Sequence, residues 1–412
     1  MFKRIPGTKD ILPPESSSWQ NVESIARKIF SLYNYQEIRT PLIEDAALFN
    51  RTLGSTTEIV QKQMFLIHNQ EDTYALRPEG TASIVRGYLE NNLDKQAGFT
   101  KLYYIGPMFR LERPQKGRLR QFHHIGAEAI GSPESRLDIE IIALSQELLK
   151  SFGITGHKIK INSLGCPKDK QALSADLTRN LKEKLSKLCP DCQNRSTHNV
   201  LRILDCKNED CQKIIKTLVL EQNHLCAECR DHFEEVKCGL NSLGIPFQVD
   251  AFLVRGLDYY NRTVFEITHD QLGSQDAIGA GGRYNNLVSE LGGPELGAIG
   301  FAFGVERLLL VPNALNHTQA KKLAYLITLG EAAKTAGLKI LHQLRCAGIN
   351  ADMDYLNKSL KGAMRAANDA QATSVLILGE DELKKNTVSI KDMANGTQKE
   401  VALEDLTKEL IC

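Results

Sequence analysis

A break in periodicity constrains this chain more than any other feature. Strand and helix patterns mix through residues 1–165, give way over 166–245 to a charged, helix-rich stretch, and turn strand-like again from Phe247. Eight of the ten cysteines (Cys166, Cys189, Cys192, Cys206, Cys211, Cys226, Cys229 and Cys238) fall inside that stretch, leaving Cys346 and Cys412 elsewhere. A sheet pattern that stops and resumes is most simply one sheet domain, 1–165 with 246–320, interrupted by an inserted module at 166–245. The length agrees, because 412 residues at roughly 150 per domain predict two or three domains.

Within the first part, Trp19, Val22, Ile25, Ala26, Ile29 and Phe30 recur at helical spacing behind a run of serines, which predicts an amphipathic helix over 16–33. Strands are expected at 36–42, 73–76, 102–109 and 121–130, and a helix at 138–152. Inside the module the clearest helices are 173–188 and 226–243. Beyond it, strands are expected at 247–254, 263–268, 276–280 and 297–303, the last running into a helix at 305–310. Strands followed by helices without strict alternation indicate an α+β fold around an antiparallel sheet. Residues 312–321 read as a linker. Alternating strands and helices at 323–328, 332–347, 351–354, 360–370 and 374–378 then predict a small α/β domain over 321–412.

Composition excludes several classes. The 51 Lys+Arg against 50 Asp+Glu leave a net +1, and 25% charged with 42% hydrophobic residues is ordinary for a soluble globular chain. No apolar segment of signal-peptide length follows the N-terminal basic residues. The longest apolar stretch, 296–312, is interrupted by Glu306 and Arg307, short of the ~18 residues a membrane helix needs. A cytoplasmic protein without membrane attachment is expected, and its cysteines read as thiols or metal ligands rather than disulfides.

The densest chemical signal runs from Tyr104 to Glu128. Between positions 110 and 120 five basic residues (Arg110, Arg113, Lys116, Arg118, Arg120) meet one acid, Glu112, a local +4. Arg110, Glu112, Phe122, His124 and Glu128 all occupy even positions, and a strand sends alternate side chains to one face. Arginines and an aromatic plate on one sheet face suit a nucleotide's phosphates and base. A second cluster, Arg255-Gly-Leu-Asp-Tyr259-Tyr260, sets an arginine beside two tyrosines. A third, Gly279-Ala-Gly281-Gly282-Arg283-Tyr284-Asn285, permits close backbone approach but lacks the Lys-Ser/Thr of a phosphate loop. The fourth, Gly297 to Arg307, opens a helix with small residues and an arginine.

In this order the four segments resemble the bacterial histidyl-tRNA synthetases, a branch of the class II aminoacyl-tRNA synthetases, over essentially the whole chain. Phe109-Arg110 through Phe122 resembles the second class motif and Gly300 through Arg307 the third. Arg255 through Tyr260 and Gly281 through Tyr284 resemble the two signatures of the histidine-specific branch. Arg77-Pro-Glu79-Gly-Thr81 is similar to a family segment that contacts the amino acid. The resemblance implies a class II catalytic domain flanked by helices, a module lying over the tRNA acceptor stem, and an anticodon-binding domain at 321–412.

The implied reaction joins L-histidine to ATP, with Mg²⁺, to give histidyl-adenylate and pyrophosphate, then passes the histidyl group to the 3′ end of tRNA(His). By the resemblance Arg110 and Arg255 are the catalytic pair at the α-phosphate. Arg118 and Arg307 hold the outer phosphates, Phe122 stacks on adenine, and Glu112 completes the ATP site. Glu128 and Tyr260 grip the imidazole; Glu79, Thr81 and His124 hold the α-ammonium; Tyr259 and Tyr284 complete the histidine pocket. Arg113, Gln115 and Arg120 would meet the acceptor end, where tRNA(His) carries an extra 5′ guanosine. The resemblance further implies a homodimer with the first class motif, near 38–43, at its interface.

Two positions depart from the family. His124 stands where glutamine is usual, and an imidazolium there would repel the substrate ammonium, so histidine affinity is expected to fall below about pH 6.5. Asn285 stands where aspartate is usual, which removes a negative charge. The two CxxC pairs, Cys189/Cys192 and Cys226/Cys229, could together hold a structural zinc. The 33 residues between them exceed the ~15–20 of a four-cysteine site, and Cys206 with Cys211 could replace one pair. Reduced, partly buried thiols are the competing reading, and the resemblance requires no metal. A regulatory paralogue that does not charge tRNA would tend to lack both the histidine signatures and the C-terminal domain, which this chain has. A class II synthetase for another amino acid is opposed by Glu128 and Tyr260.

Overall fold

The computed structural model describes residues 2–411 apart from 56, 219–223 and 312–321; the expected linker at 312–321 lies outside the described residues. By contacts the chain forms two compact units, 1–318 and 319–412.

The first unit is built on an eight-stranded sheet, in spatial order Gln36–Glu37, Thr100–Phe109, Gln121–Ile130, Ala298–Gly304, Ala277–Arg283, Asn261–Thr268, Lys158–Ser163 and Gln248–Val249. Its six central strands pair antiparallel, and only the two short edge strands run parallel to their neighbours. The fold is α+β, as its strand pattern predicts. One face carries the main core. Trp19, Phe30, Ile141, Leu148 and Phe233, from helices Glu15–Leu32, Ser135–Ser151 and Ala227–Ser242, pack on Ile125, Phe265 and Ile299 of the sheet. Full burial of each such side chain contributes roughly 1.5–3 kcal/mol.

The stretch 166–245 contains helices Pro167–Leu181, Pro190–His198, Glu209–Ile215 and Ala227–Ser242. Its Leu177, Leu181, Ile203, Cys206 and Cys211 share a second core with Leu253, Tyr259 and Tyr260. This stretch therefore packs directly on the residues that follow it.

Two strands are shorter than their patterns predict. Of 247–254 only Gln248–Val249 pairs, because Asp250 turns the chain: its Oδ1 accepts the Phe252 amide at 3.0 Å and its carbonyl the Leu253 amide at 2.9 Å. Of 36–42 only Gln36–Glu37 is strand. The Thr40 carbonyl is taken by the Arg77 guanidinium and Pro41 has no amide to donate. A small sheet, Ile43–Asp45, Asp72–Leu76 and Phe65–Asn69, follows that edge.

In the second unit Ala351–Met353, Ala324–Thr328 and Ser374–Leu378 pair in parallel around helices Glu331–Cys346 and Leu360–Asp369, as the alternating pattern predicts. Two further antiparallel strands, Thr387–Asp392 and Gln398–Ala402, are additional to that pattern.

Candidate active site

The hairpin Thr100–Phe109/Gln121–Ile130 supplies the floor of the site. Its register sets Phe122, His124 and Glu128 on one face, with Gly126 between the last two making room for the Tyr104 ring. Across from Glu128 lies Gly300, where a Cβ would collide with the Glu128 carboxylate. The small residue of that strand is thus the space in which the acid sits.

A cleft of about 310 Å³ opens over this floor, lined by Glu79, Thr81, Arg110, Glu112, Arg118, Phe122, His124, Arg255, Tyr259, Tyr260 and Arg307 among others. Eleven of the residues singled out from the sequence meet here. Arg110 leaves the ladder at the strand end, donates to the Pro78 carbonyl at 2.9 Å, and lies 5.3 Å from the Phe122 ring centre. Glu112 pairs with Arg118 and lies 3.8 Å from Arg110. Arg255 pairs with Glu266 at 2.6 Å. Arg307 donates to the Gly117 and Ala277 carbonyls at 3.0 and 2.6 Å, tying the cationic loop to the sheet. Burial draws the Arg110 and Arg307 guanidiniums below their ordinary pKa values. Four guanidiniums converging on one cleft offer donors suited to phosphate oxygens, two of them set in place by the carboxylates of Glu112 and Glu266.

A second, deeper group lies at one end. Glu128 is 1% exposed; Thr81 donates to its Oε1 at 2.7 Å and Tyr284 to its Oε2 at 2.6 Å. Burial raises its pKa to about 8, against those two hydrogen bonds. Glu79 caps helix Thr81–Glu90, its two oxygens accepting the Thr81 and Ala82 amides at 2.7 and 2.8 Å. Burial also raises Glu79, while those amides lower it. The Tyr259 hydroxyl lies 3.4 Å from Glu79, and the Tyr260 ring 4.6 Å from the Tyr259 ring. Burial raises the Tyr260 phenol to about 12.

The His124 expectation needs correction. Burial, with Arg110, Arg77 and Arg307 nearby, lowers its pKa to about 3. The ring is therefore neutral throughout the physiological range, and its titration cannot weaken an ammonium contact near pH 6.5. Asn285 also finds its place: its Oδ1 accepts Arg283 Nη1 at 3.2 Å and the Ala298 amide at 3.1 Å. A neutral acceptor suffices because Arg283, wholly buried, already pairs with Asp138, Nε to Oδ2 at 2.7 Å.

The expected contacts on the cationic loop divide. Arg113 and Gln115 are exposed, with Gln115 and Arg118 bridging the tip. The Arg120 guanidinium donates to the Pro6 and Glu112 carbonyls at 3.2 and 3.3 Å, so it fastens the N-terminal segment. Sequence reasoning missed Glu306, which lines the cleft and accepts the His123 amide at 3.0 Å and pairs with its Nδ1. It also missed the pairing role of Glu266, whose even position on strand Asn261–Thr268 was the available signal. Cys189/Cys192 and Cys226/Cys229 do not share a site; Cys206 with Cys211 takes the place of the second pair, the alternative that the spacing left open. The first pair gathers with Cys206 and Cys211, and the second with Cys166 and Asp169.

An antiparallel sheet whose hairpin and final strand-to-helix turn aim arginines into one cleft defines a class II aminoacyl-tRNA synthetase. A Histidyl-tRNA synthetase family model matches residues 7–308 and an Anticodon binding domain model residues 323–412. The chain belongs to the histidyl-tRNA synthetase family, aminoacyl-tRNA ligases that act with ATP and Mg²⁺. It is 47% identical to a histidine–tRNA ligase of Halothermothrix orenii over 411 residues, covering 98% of this chain and 97% of that one. The crystal structure of apo S. aureus histidyl-tRNA synthetase superposes with a TM-score of 0.83 at 34% identity, covering both chains fully. A Bacillus halodurans structure described as an ATP phosphoribosyltransferase regulatory subunit/histidyl-tRNA synthetase shares the fold, with a TM-score of 0.67 at 23% identity, covering 92% of this chain and 98% of that one.

Proposed function

We propose that this chain activates L-histidine with ATP in the arginine-lined cleft and transfers it to tRNA(His). The observation that carries the reading is a buried acid, Glu128, held by Tyr284 and by Thr81, the latter lining the same cleft as four guanidiniums. The imidazole lies between Glu128 and Tyr260, and the α-ammonium meets Glu79, Thr81 and neutral His124. Tyr259 holds Glu79, and Tyr284 holds Glu128. A histidine carboxylate oxygen then attacks the α-phosphorus while the bond to the bridging oxygen breaks and pyrophosphate leaves. Arg110 and Arg255 stabilise charge at that phosphorus, Arg118 and Arg307 hold the outer phosphates, and Phe122 takes the adenine. Glu112 and Glu266 are the cleft carboxylates whose oxygen chemistry fits Mg²⁺, which supplies neutralisation of the phosphates when bound.

Exposed Arg113 and Gln115 meet the acceptor end in this reading, and residues 321–412 read the anticodon. Exposed Leu42, Ile43, Leu66 and Ile67 around the small sheet support a homodimer through that face. Among the described residues no helix is long and apolar enough to cross a membrane, and a cytoplasmic site of action accords with the substrates.

The test is histidine-dependent ATP–pyrophosphate exchange followed by charging of tRNA(His). Glu128→Ala is expected to abolish exchange, because a site built to pair a substrate's polar group discriminates by ~10⁴-fold or more. Near-normal exchange in that variant contradicts the assignment. Exchange without charging by the unaltered chain contradicts the ligase reading.

A further inference from the structure

We propose that Cys189, Cys192, Cys206 and Cys211 bind a structural zinc ion that fastens the inserted module beside the catalytic cleft. Their four sulfurs lie within 4.8 Å of one another. Zinc binds thiolates at about 2.3 Å in a tetrahedron, which sets neighbouring sulfurs about 3.8 Å apart. Cys189 Sγ and Cys206 Sγ lie 3.8 Å apart. Cys189-x2-Cys192 and Cys206-x4-Cys211 have the within-pair spacing of zinc ligands, and the thirteen residues between the pairs, 193 through 205, fall just below the ~15–20 of a four-cysteine site.

Backbone amides point at two of the sulfurs. The Cys189 amide donates to Cys211 Sγ at 3.1 Å and the Asn208 amide to Cys206 Sγ at 3.4 Å, the kind of outer hydrogen bond that orients metal ligands. Cys192, Cys206 and Cys211 are buried. Four neutral thiols packed together would offer one another only weak hydrogen bonds. Four thiolates would repel without a cation. A divalent ion resolves both difficulties.

The second cysteine group differs. Both Asp169 oxygens already accept amides, from Cys166 at 3.2 Å and Cys226 at 3.1 Å. That carboxylate staples the start of helix Pro167–Leu181 to the start of helix Ala227–Ser242, and no metal is proposed there.

The four-cysteine group has a direct line to the catalytic cleft. Asp205 and Lys207, which flank Cys206, both line it. Between the cysteine pairs, Asn199 and Arg202 each donate to Asp258 Oδ1 at 3.0 Å. Asp258 belongs to the Arg255–Tyr260 segment. The ion would thus set the position of a loop that braces the histidine signature.

The test compares zinc per chain, by elemental analysis, in the full-length wild type and in a Cys206→Ser/Cys211→Ser double variant, both purified under reducing conditions. The wild type is expected to hold one more zinc. Cobalt-grown wild type is expected to show the intense visible absorption of a tetrahedral cobalt–thiolate centre, retained in Cys226→Ser. This second measurement holds even where the double variant fails to fold. A zinc-free wild type, equal zinc in both proteins, a cobalt signal lost in Cys226→Ser, or a Cys189–Cys206 disulfide by mass spectrometry would overturn the proposal.

Discussion

Glu128 carries a proton at neutral pH in the free protein, since burial raises its pKa to about 8. Tyr260, pushed up to about 12, keeps its hydroxyl proton and can donate it to one ring nitrogen of the substrate. The neutral ring then has a single N–H, which needs an ionised carboxylate to accept it. Glu128 must therefore release its proton on binding, at a cost of about 1.4 kcal/mol per pH unit below its pKa. Histidine affinity is expected to rise roughly tenfold per unit from pH 6.5 towards 8 and then level off. Calorimetry at pH 7 in buffers of different ionisation enthalpy is expected to find about one proton released per histidine bound. A flat affinity with no proton release would remove Glu128 from this role. His124, neutral down to about pH 3, contributes nothing to that window.

Helix Ser135–Ser151 and strand Ala277–Arg283 are joined by one buried ion pair. Arg283 and Asp138 are both fully buried, and Arg283 also donates to the Ser132 carbonyl at 2.9 Å. Arg283→Met would leave Asp138 a buried charge with only His232 Nε2, 3.8 Å away, beside it, so urea unfolding is expected to show a loss of about 3–5 kcal/mol. A loss below about 1 kcal/mol would show that the pair does not hold these elements together. The same motif shows what could be read in advance. Gly281 through Tyr284 stood out as a unit, but the inward aim of Tyr284 depends on Glu128 of a strand, and the structural duty of Arg283 on Asp138 of a helix, each well over a hundred residues earlier. Even spacing correctly put Phe122, His124 and Glu128 on one face because a ladder enforces alternation. It was no guide for Arg110 and Glu112, which lie beyond the strand end and reach the cleft through loop geometry. The cysteine grouping was half legible: spacing left Cys206 and Cys211 open as partners of one CxxC pair, but which pair they join, and that Asp169 joins the other, is fixed by tertiary packing. Likewise, the apolar pattern of 247–254 read as a long strand until the Asp250 turn took it out of the sheet.

Net charge is a poor guide to partners for a molecule divided this way. The total of +1 conceals a cleft in which four arginines stand among carboxylates such as Glu112, Glu266 and Glu306. The division itself makes a prediction. Residues 319–412 form a compact unit with their own five-stranded sheet and two hydrophobic clusters of their own. Every residue assigned to adenylation lies in 1–318 and draws its hydrogen bonds from that unit. A chain ending at Thr318 is therefore expected to keep histidine-dependent pyrophosphate exchange. Its charging of tRNA(His) is expected to fall by ~100-fold or more, equivalent to about 2.8 kcal/mol of lost contact with the anticodon end. Measuring both reactions on the same preparation separates a binding defect from a folding defect, because exchange reports the intact cleft. Charging at the full-length rate would deny the C-terminal unit a part in tRNA recognition. Loss of both reactions by a chain that remains folded would mean that the catalytic cleft depends on the unit it shares no assigned residue with.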